Sequence, residues 1–328
     1  MTFYTPNSTQ YSVILHPQKS PSNTIMLQEE SINAKWHTPA IGRIKDYAQL
    51  LKPNLSIMVV FSSVIGYLMA PGISFAWKEV IILFAGGILV TGGANTINQI
   101  LERYSDKLMK RTMLRPLPDE RMHKIEAWVF AIITGLTGSI LLGYFFNPLC
   151  GVLSFVSLLL YAFAYTPMKK VHPIAVLIGA IPGAMPPLIG WVAATGTLGG
   201  GEGVGGWVLF LIQFFWQFPH FWAIAWVGFD DYLKAGIRML PSKEGKTRFT
   251  GLQCMFYSIV LIPMAIVPRI IGLTGNIGMW VCMLCGLMYF AASVAFYKNN
   301  DFKSAKRVMF ASFIYLPVVL LALFFDKL

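Results

Sequence analysis

Nine apolar runs, each about as long as a bilayer's hydrocarbon layer is thick, govern what this chain can become. They cover residues 54–72, 79–101, 125–145, 149–166, 173–194, 207–229, 250–267, 275–297 and 307–325. Lipid offers no hydrogen-bond partners to a bare backbone, so segments of this kind cross it as helices. The expected fold is therefore all-α: a polytopic membrane protein of nine transmembrane helices around a central cavity. Pro71-Gly72 closes the first run, and Asn147-Pro148 makes a tight turn between the third and fourth. Residues 1–40 are polar and read as a flexible cytoplasmic tail. A short amphipathic lead-in around Asp46–Lys52 follows, and the membrane domain occupies 41–328.

The net charge of +11 would suggest a nucleic-acid partner in a soluble chain. Here topology accounts for it. Arg43, Lys45 and Lys52 precede the first span. Seven basic residues follow the second, Lys169 and Lys170 the fourth, and Lys234, Arg238, Lys243, Lys246 and Arg248 the sixth. Lys298, Lys303, Lys306 and Arg307 follow the eighth, while the opposite side holds only Lys78, Arg269 and Lys327. Basic loops stay cytoplasmic, so the N-terminus is expected inside and the C-terminus outside, which an odd number of spans satisfies. No nucleic-acid partner is needed; the lipid bilayer is the expected surrounding.

The second span ends in a polar stripe. Asn98, Glu102 and Asp106 are spaced i, i+4, i+8, and each step of four turns a helix by only about 40°, so all three share one face. Hard oxygen ligands in this array suit Mg²⁺, which takes one or two carboxylates and completes its shell with water and phosphate. Lys107, Lys110, Arg111 and Arg115 follow at once and suit a diphosphate. Carboxylates in or beside a membrane span are functional by default.

A weak internal echo runs through the chain. Four spans later, the sixth span also ends in acids, Asp230 and Asp231, and a basic loop. An even offset implies parallel repeats: two four-helix halves plus a ninth helix, with two acidic clusters facing one cavity. Adjacent carboxylates cannot both face one way on a helix. Asp231 is the preferred second-site ligand, and Asp230 is either a further metal ligand or solvated. Lys234 lies one turn beyond Asp230.

Other segments carry two readings each. Lys169 and Lys170 either reach an anion or anchor span four as ordinary cytoplasmic charges. The Gly- and Pro-rich stretch Ile178–Trp191 either packs helices closely or bends one to widen a cavity. Trp216-Gln-Phe-Pro-His220-Phe-Trp222 concentrates aromatics inside a span. Its faces suit a carbocation, and His220 is a candidate for iron ligation, proton transfer or simple hydrogen bonding. His172 is a weaker candidate. Gly199–Gly206 reads as a flexible outer loop, and Cys282 and Cys285, a C-x-x-C inside a span, read as small packing residues.

Four blocks together resemble one family. They are Asn98-x3-Glu102-x3-Asp106-x2-Met109-x-Arg111-Thr112-x2-Arg115-Pro116-Leu117, then Tyr165-Thr166-Pro167-x-Lys169-Lys170, then Gly183-Ala-x-Pro-Pro-Leu-Ile-Gly-Trp191, and last Trp216-Gln-x-Pro-His220-Phe with Asp231-Tyr232-x2-Ala235-Gly236-Ile237. From about residue 43 to its end the chain resembles the protohaem IX farnesyltransferases (haem O synthases), members of the intramembrane prenyltransferase superfamily. Tyr104 stands where many relatives carry a middle Asp. The resemblance implies transfer of a farnesyl group from farnesyl diphosphate to a vinyl group of haem B, with Mg²⁺ holding the diphosphate. The Arg-poor tail is an unconvincing mitochondrial presequence, so a bacterial plasma membrane is the expected location; the resemblance implies a haem A synthase or terminal-oxidase assembly proteins as partners. Catalysis or metal binding would fall to Asn98, Glu102, Asp106, Asp231 and Asp230. Substrate binding would fall to Arg111, Arg115, Lys169, Lys170, Lys234, His220 and Trp216. Another prenyl acceptor, a quinone precursor or chlorophyllide, is the nearest alternative; a nine-helix transporter, with polar sites at the midplane, is a more distant one.

The topology is open to direct test. A reporter fused after Leu328 is expected outside the membrane and one inserted near Met113 inside. Finding both on one side contradicts the nine-span arrangement.

Overall fold

The computed structural model describes residues 40–328, so the tail expected over 1–40 lies outside the described residues but for Ala40. Helix α1 (Ala40–Leu51) leads into α2 (Pro53–Met69), and α3 (Trp77–Asp106) and α4 (Lys124–Phe145) follow. Next comes α5 (Pro148–Leu159), which continues through a π-helical stretch (Leu160–Tyr165) into α6 (Thr166–Val171). After it come α7 (Ala175–Thr195), α8 (Gly200–Val227) and the short α9 (Phe229–Lys234). The chain finishes with α10 (Arg248–Met264), α11 (Val267–Ile270), α12 (Asn276–Asn299) and α13 (Phe302–Phe325).

Eight spans among the described residues are long and apolar enough to cross a membrane. A ninth candidate appears only when α1 and α2 are taken together as one bent span; α2 alone has 17 residues and reaches about 25 Å, the lower end of the membrane range. It meets α1 at a bend of 44°. Lys52 sits at the break in the left-handed region (φ 48°) and Pro53 opens the new helix. A proline disfavours helical geometry in the residue before it, so the kink is written into Lys52-Pro53.

Two large apolar cores lie side by side, and a smaller cluster gathers Leu50, Ile100, Leu117, Met122 and Ala127. One joins α3, α4, α5 and α7 through residues such as Leu83, Val90, Leu142, Leu158 and Leu188. The other joins α7, α8, α10, α12 and α13 through Trp191, Phe218, Trp226, Tyr289, Phe296 and Leu320. Helix α7 belongs to both and is the most buried span.

Its prolines are accommodated by neighbours. Pro186 and Pro187 deprive the carbonyls of Pro182 and Gly183 of their helical donors. Ser157 Oγ on α5 donates to Pro182 O (3.3 Å), and Gln213 Nε2 on α8 donates to Gly183 O (2.8 Å). Both readings of the Ile178–Trp191 stretch therefore hold. Pro182, Gly183 and Pro186 line an apolar cavity, while Gly190 lets α7 touch α2. A Cβ on Gly190 would fall 1.8 Å from Ser63 O, and one on Gly66 2.1 Å from Pro187 O.

The Gly199–Gly206 run is not a loop. From Gly200 it is the first turns of α8. Gly205 and Gly206 lie flat beneath the Trp191 ring, where a Cβ on Gly205 would come within 2.1 Å of it. Trp191 Nε1 also donates to Glu202 O (2.7 Å). The stacked indole replaces the side-chain packing that glycines lack, and helix wins over their poor propensity. At the far end Lys327 Nζ donates to Leu68 O, Ala70 O and Ile73 O (2.8, 2.7 and 3.2 Å), tying the last helix to the first span. All four cysteines are free, Cys282 buried and Cys285 partly so within α12, as packing residues.

Gly190→Val is expected to force α7 off α2. Overpacking of this kind costs about 1–3 kcal/mol or more, so the purified variant should show a lowered melting temperature. An unchanged value contradicts the close α2–α7 approach.

Candidate active site

The polar stripe at the end of α3 is helical throughout, as its spacing implies. Asn98, Glu102 and Asp106 are 2 %, 5 % and 1 % exposed, so these charges need partners supplied by the fold. Lys169 Nζ on α6 sits 2.6 Å from Glu102 Oε1. Asn98 Nδ2 donates to Glu102 Oε2 (2.9 Å) and to Thr166 Oγ1 (3.1 Å). Lys52 Nζ, at the α1–α2 break, donates to Asn98 Oδ1 (2.9 Å). Arg115 Nη1, from the loop after α3, pairs with Asp106 Oδ2 at 2.7 Å. Thr112 Oγ1 donates to Asp106 O (2.9 Å) and ties that loop to the end of the helix.

Local geometry explains why Lys169 is the lysine that enters. Pro167 lacks an N–H, and the turn before it widens into the π-helical stretch. Both the N–H and the hydroxyl of Thr166 reach Tyr161 O, the latter at 2.9 Å. Beyond that turn Lys169 is buried and Lys170 exposed. The ammonium of Lys169 also lies 4.8 Å from the centre of the Tyr165 ring.

The second acidic segment lies on α9. Asp231 is half-buried, while Asp230 and Lys234 are exposed. The turn after α9 is bonded to the first site, because Arg238 N donates to Lys169 O (2.7 Å). Among the described residues no three His, Cys, Asp or Glu side chains form a ready metal cage. The two-carboxylate set of Glu102 and Asp106, with the Asn98 amide, suits an ion that takes its other ligands from water and phosphate. Arg111 is exposed, outside the ion pair that Arg115 makes. Trp216 and His220 lie deeper on α8 against α13. His172 Nδ1 accepts from Ile174 N (3.1 Å) and helps start α7.

Lys52 and Thr166 complete the constellation. Lys52 reads in the sequence as one more cytoplasmic charge; its only further signal is the proline that follows it. Arg115 and Lys169 stand near the Lys52 ammonium, so positive charges crowd one another here. An arriving anion offsets that repulsion and favours its charged form.

The site thus gathers two carboxylates and three basic side chains beneath the basic loops. Just below lies an apolar cavity whose wall includes Asn95, one turn before Asn98, and Tyr161. It continues between Leu55, Val59, Leu142 and Ile189. An anionic head and a hydrocarbon tail have adjoining places. Residues 59–316 match the model of the UbiA prenyltransferase family.

The chain belongs to the UbiA prenyltransferase family.

It is a multi-pass membrane prenyltransferase, which sets aside the transporter reading. Among its curated relatives is the protoheme IX farnesyltransferase of Cytophaga hutchinsonii, 43 % identical over 88 % of this chain and 99 % of that one. That of Christiangramia forsetii is 39 % identical over 90 % of this chain and 97 % of its own. The mitochondrial enzyme of Arabidopsis thaliana is 34 % identical over 86 % of this chain and 64 % of its own. Among solved structures, a digeranylgeranylglyceryl phosphate synthase superposes with a TM-score of 0.72 at 22 % identity, covering 87 % of this chain and 98 % of its own. A UbiA homologue from Archaeoglobus fulgidus, bound to GPP and Mg²⁺, gives 0.60 at 14 %, covering 85 % and 99 %. The shared fold is the expected bundle of membrane helices.

Glu102→Gln and Asp106→Asn are each expected to abolish prenyl transfer, beyond any loss of folded and inserted protein caused by stranding Lys169 or Arg115. A carboxylate that held a metal here would supply several kcal/mol of charge stabilisation in the transition state. Near-normal turnover in both variants contradicts the assignment.

Proposed function

We propose that this prenyltransferase transfers a farnesyl group from farnesyl diphosphate to a vinyl group of haem B, giving haem O and diphosphate. One structural observation carries the reading. A buried carboxylate pair, met by Lys52, Lys169 and Arg115, lies one turn along α3 from Asn95, which lines an apolar cavity with Tyr161. The acceptor follows from the relatives of 39–43 % identity that carry this activity in their names, and from the aromatic Trp216–Trp222 segment. The same relatives favour haem over the alternative acceptors, a quinone precursor or chlorophyllide.

Glu102, Asp106 and Asn98 are the residues that would hold Mg²⁺, and their oxygen donors fit it. When bound, the ion neutralises charge developing on the leaving diphosphate. Arg115 and Lys169 are assigned to the diphosphate oxygens, each exchanging its carboxylate partner for the substrate. Lys52 adds a third contact. Exposed Arg111, Lys170 and Lys234 attract the two anionic substrates to this face, and Asp231, with Asp230 beside it, is the second carboxylate group assigned to the metal. The farnesyl chain occupies the cavity between α2, α4, α5 and α7.

The allylic C–O bond breaks and its electron pair leaves with diphosphate. The vinyl π electrons form the new C–C bond, and water fills the resulting cation beside the porphyrin, losing a proton. Tyr161, Tyr165 and the aromatic face of α8 shelter the allylic cation from earlier capture by water. The protein is assigned to a bacterial plasma membrane with its N-terminus cytoplasmic and its C-terminus outside. The membrane domain is assigned to residues 41–328. Haem A synthase or oxidase assembly proteins are its proposed recipients.

Cells expressing the protein are expected to yield a haem more hydrophobic than haem B on pigment extraction. Membranes stripped with a chelator should lose the activity and regain it with Mg²⁺. An unchanged pigment profile, in cells that hold the folded protein and farnesyl diphosphate, contradicts the proposed acceptor.

A further inference from the structure

The histidine inside α8 is held in one tautomer. Ser312 on α13 has a single hydroxyl proton, and its Oγ lies 2.5 Å from Met309 O, an acceptor only. The same Oγ lies 2.8 Å from His220 Nδ1. With its proton given to Met309 O, the shorter contact, Ser312 accepts from the imidazole, as it can from the neighbouring Tyr289 hydroxyl. Nδ1 therefore carries the ring proton, and Nε2 keeps its lone pair. His172 shows the opposite arrangement: its Nδ1 accepts from Ile174 N, so its proton is on Nε2.

The His220 ring is fixed in direction as well as in protonation. Trp216 stacks on it at 4.7 Å, and Trp216 Nε1 donates to Ser312 O (2.8 Å), which anchors the stack to α13. The Phe313 edge meets it at 5.4 Å. Nε2 has no hydrogen-bond partner among the described residues, and the ring is only partly buried. Metal-binding histidines share this design: one nitrogen donates to a fixed acceptor while the other is left for the metal. A histidine serving packing alone has no need of an oriented, unpaired nitrogen in apolar surroundings.

An aromatic path links His220 to the active site. Its ring lies 5.4 Å from Phe221, Phe221 lies 6.4 Å from Tyr165, and Tyr165 lies 4.8 Å from the ammonium of Lys169. We infer that His220 is an axial ligand, through Nε2, to the iron of the porphyrin acceptor. The flat macrocycle then lies along Phe221 and Tyr165 with a vinyl edge toward Glu102 and Lys169. Ser312 is a positioning residue that sets the tautomer. This inference rests on the haem-acceptor reading above.

The test uses the full-length protein, purified in detergent and titrated with haem B without any prenyl diphosphate. Wild type is expected to give the absorption and electron-spin signature of histidine-ligated haem. His220→Ala should lose that signature and bind haem about tenfold or more weakly. Iron-free protoporphyrin IX, which cannot use the ligand, should bind both proteins within about twofold. Added imidazole should restore the signature in His220→Gly. Ser312→Ala should keep ligation but alter the signature. If alanine fails to fold, His220→Met, which offers a thioether of similar bulk, should replace the histidine signature with that of a sulfur ligand. A histidine signature that persists in folded His220→Ala or His220→Met overturns the inference and leaves the haem-acceptor reading intact. Failure of wild type to take up haem B overturns that reading itself.

Discussion

The ion pair between Glu102 and Lys169 is the contact around which this site is organised. Both side chains are withdrawn from water, and a buried pair does not stabilise a fold merely by existing, since desolvation offsets most of the attraction. Removing one partner, however, costs about 3–5 kcal/mol, because the other charge is left stranded. The pair therefore locks α3 to α6 strongly, and its oxygen and nitrogen remain available to a charged ligand. Asn98 and Thr166 extend the lock, and Lys52 brings in the α1–α2 break. Arg115 repeats the device one turn further along, at Asp106. Each carboxylate is thus held ready beside a cation. In the proposed reaction a divalent metal would be matched to the carboxylates and a diphosphate to the cations.

Placing that lock requires unusual backbone at three points. The π-helical stretch before Pro167 aims Lys169 inward. The left-handed Lys52 before Pro53 turns its ammonium toward Asn98. The prolines of α7 leave carbonyls that Ser157 and Gln213 satisfy. In lipid no water repairs such defects, so each needs a protein donor close by. The same irregularities open room beside the site. Pro182, Gly183 and Pro186 form cavity wall where a regular helix with larger side chains would fill it.

Polar and apolar demands are separated along the membrane normal. Charges gather at the end where the basic loops lie, and the apolar cavity runs inward from there. The aromatic line from Tyr165 through Phe221 to His220 lies beside this boundary. An allylic cation formed at such a boundary has its leaving anion held on one side and ring faces on the other, with little water between.

The sequence by itself determined the class of fold and the chemistry of one face. Nine apolar runs could satisfy their backbones only as membrane helices, and i, i+4, i+8 spacing put Asn98, Glu102 and Asp106 on one stripe whatever packed against it. Their candidacy as a ligand set was legible because carboxylates are costly near lipid. Tertiary structure decided which cations answer them. Lys169 and Lys170 are equivalent in the sequence; a widened turn buries one and exposes the other. Arg111 and Arg115 are alike in composition, yet Arg115 closes on Asp106. Lys52 resembled one more topological charge until the kink carried it inward. The glycine run at 199–206 became helix because Trp191, distant from it in no local rule, covers it. His220 gained its tautomer only from Ser312, 92 residues away. Local spacing is a property of one helix and can be read from one segment. Partnership between buried charges is a property of two, and their meeting is settled only when the helices pack.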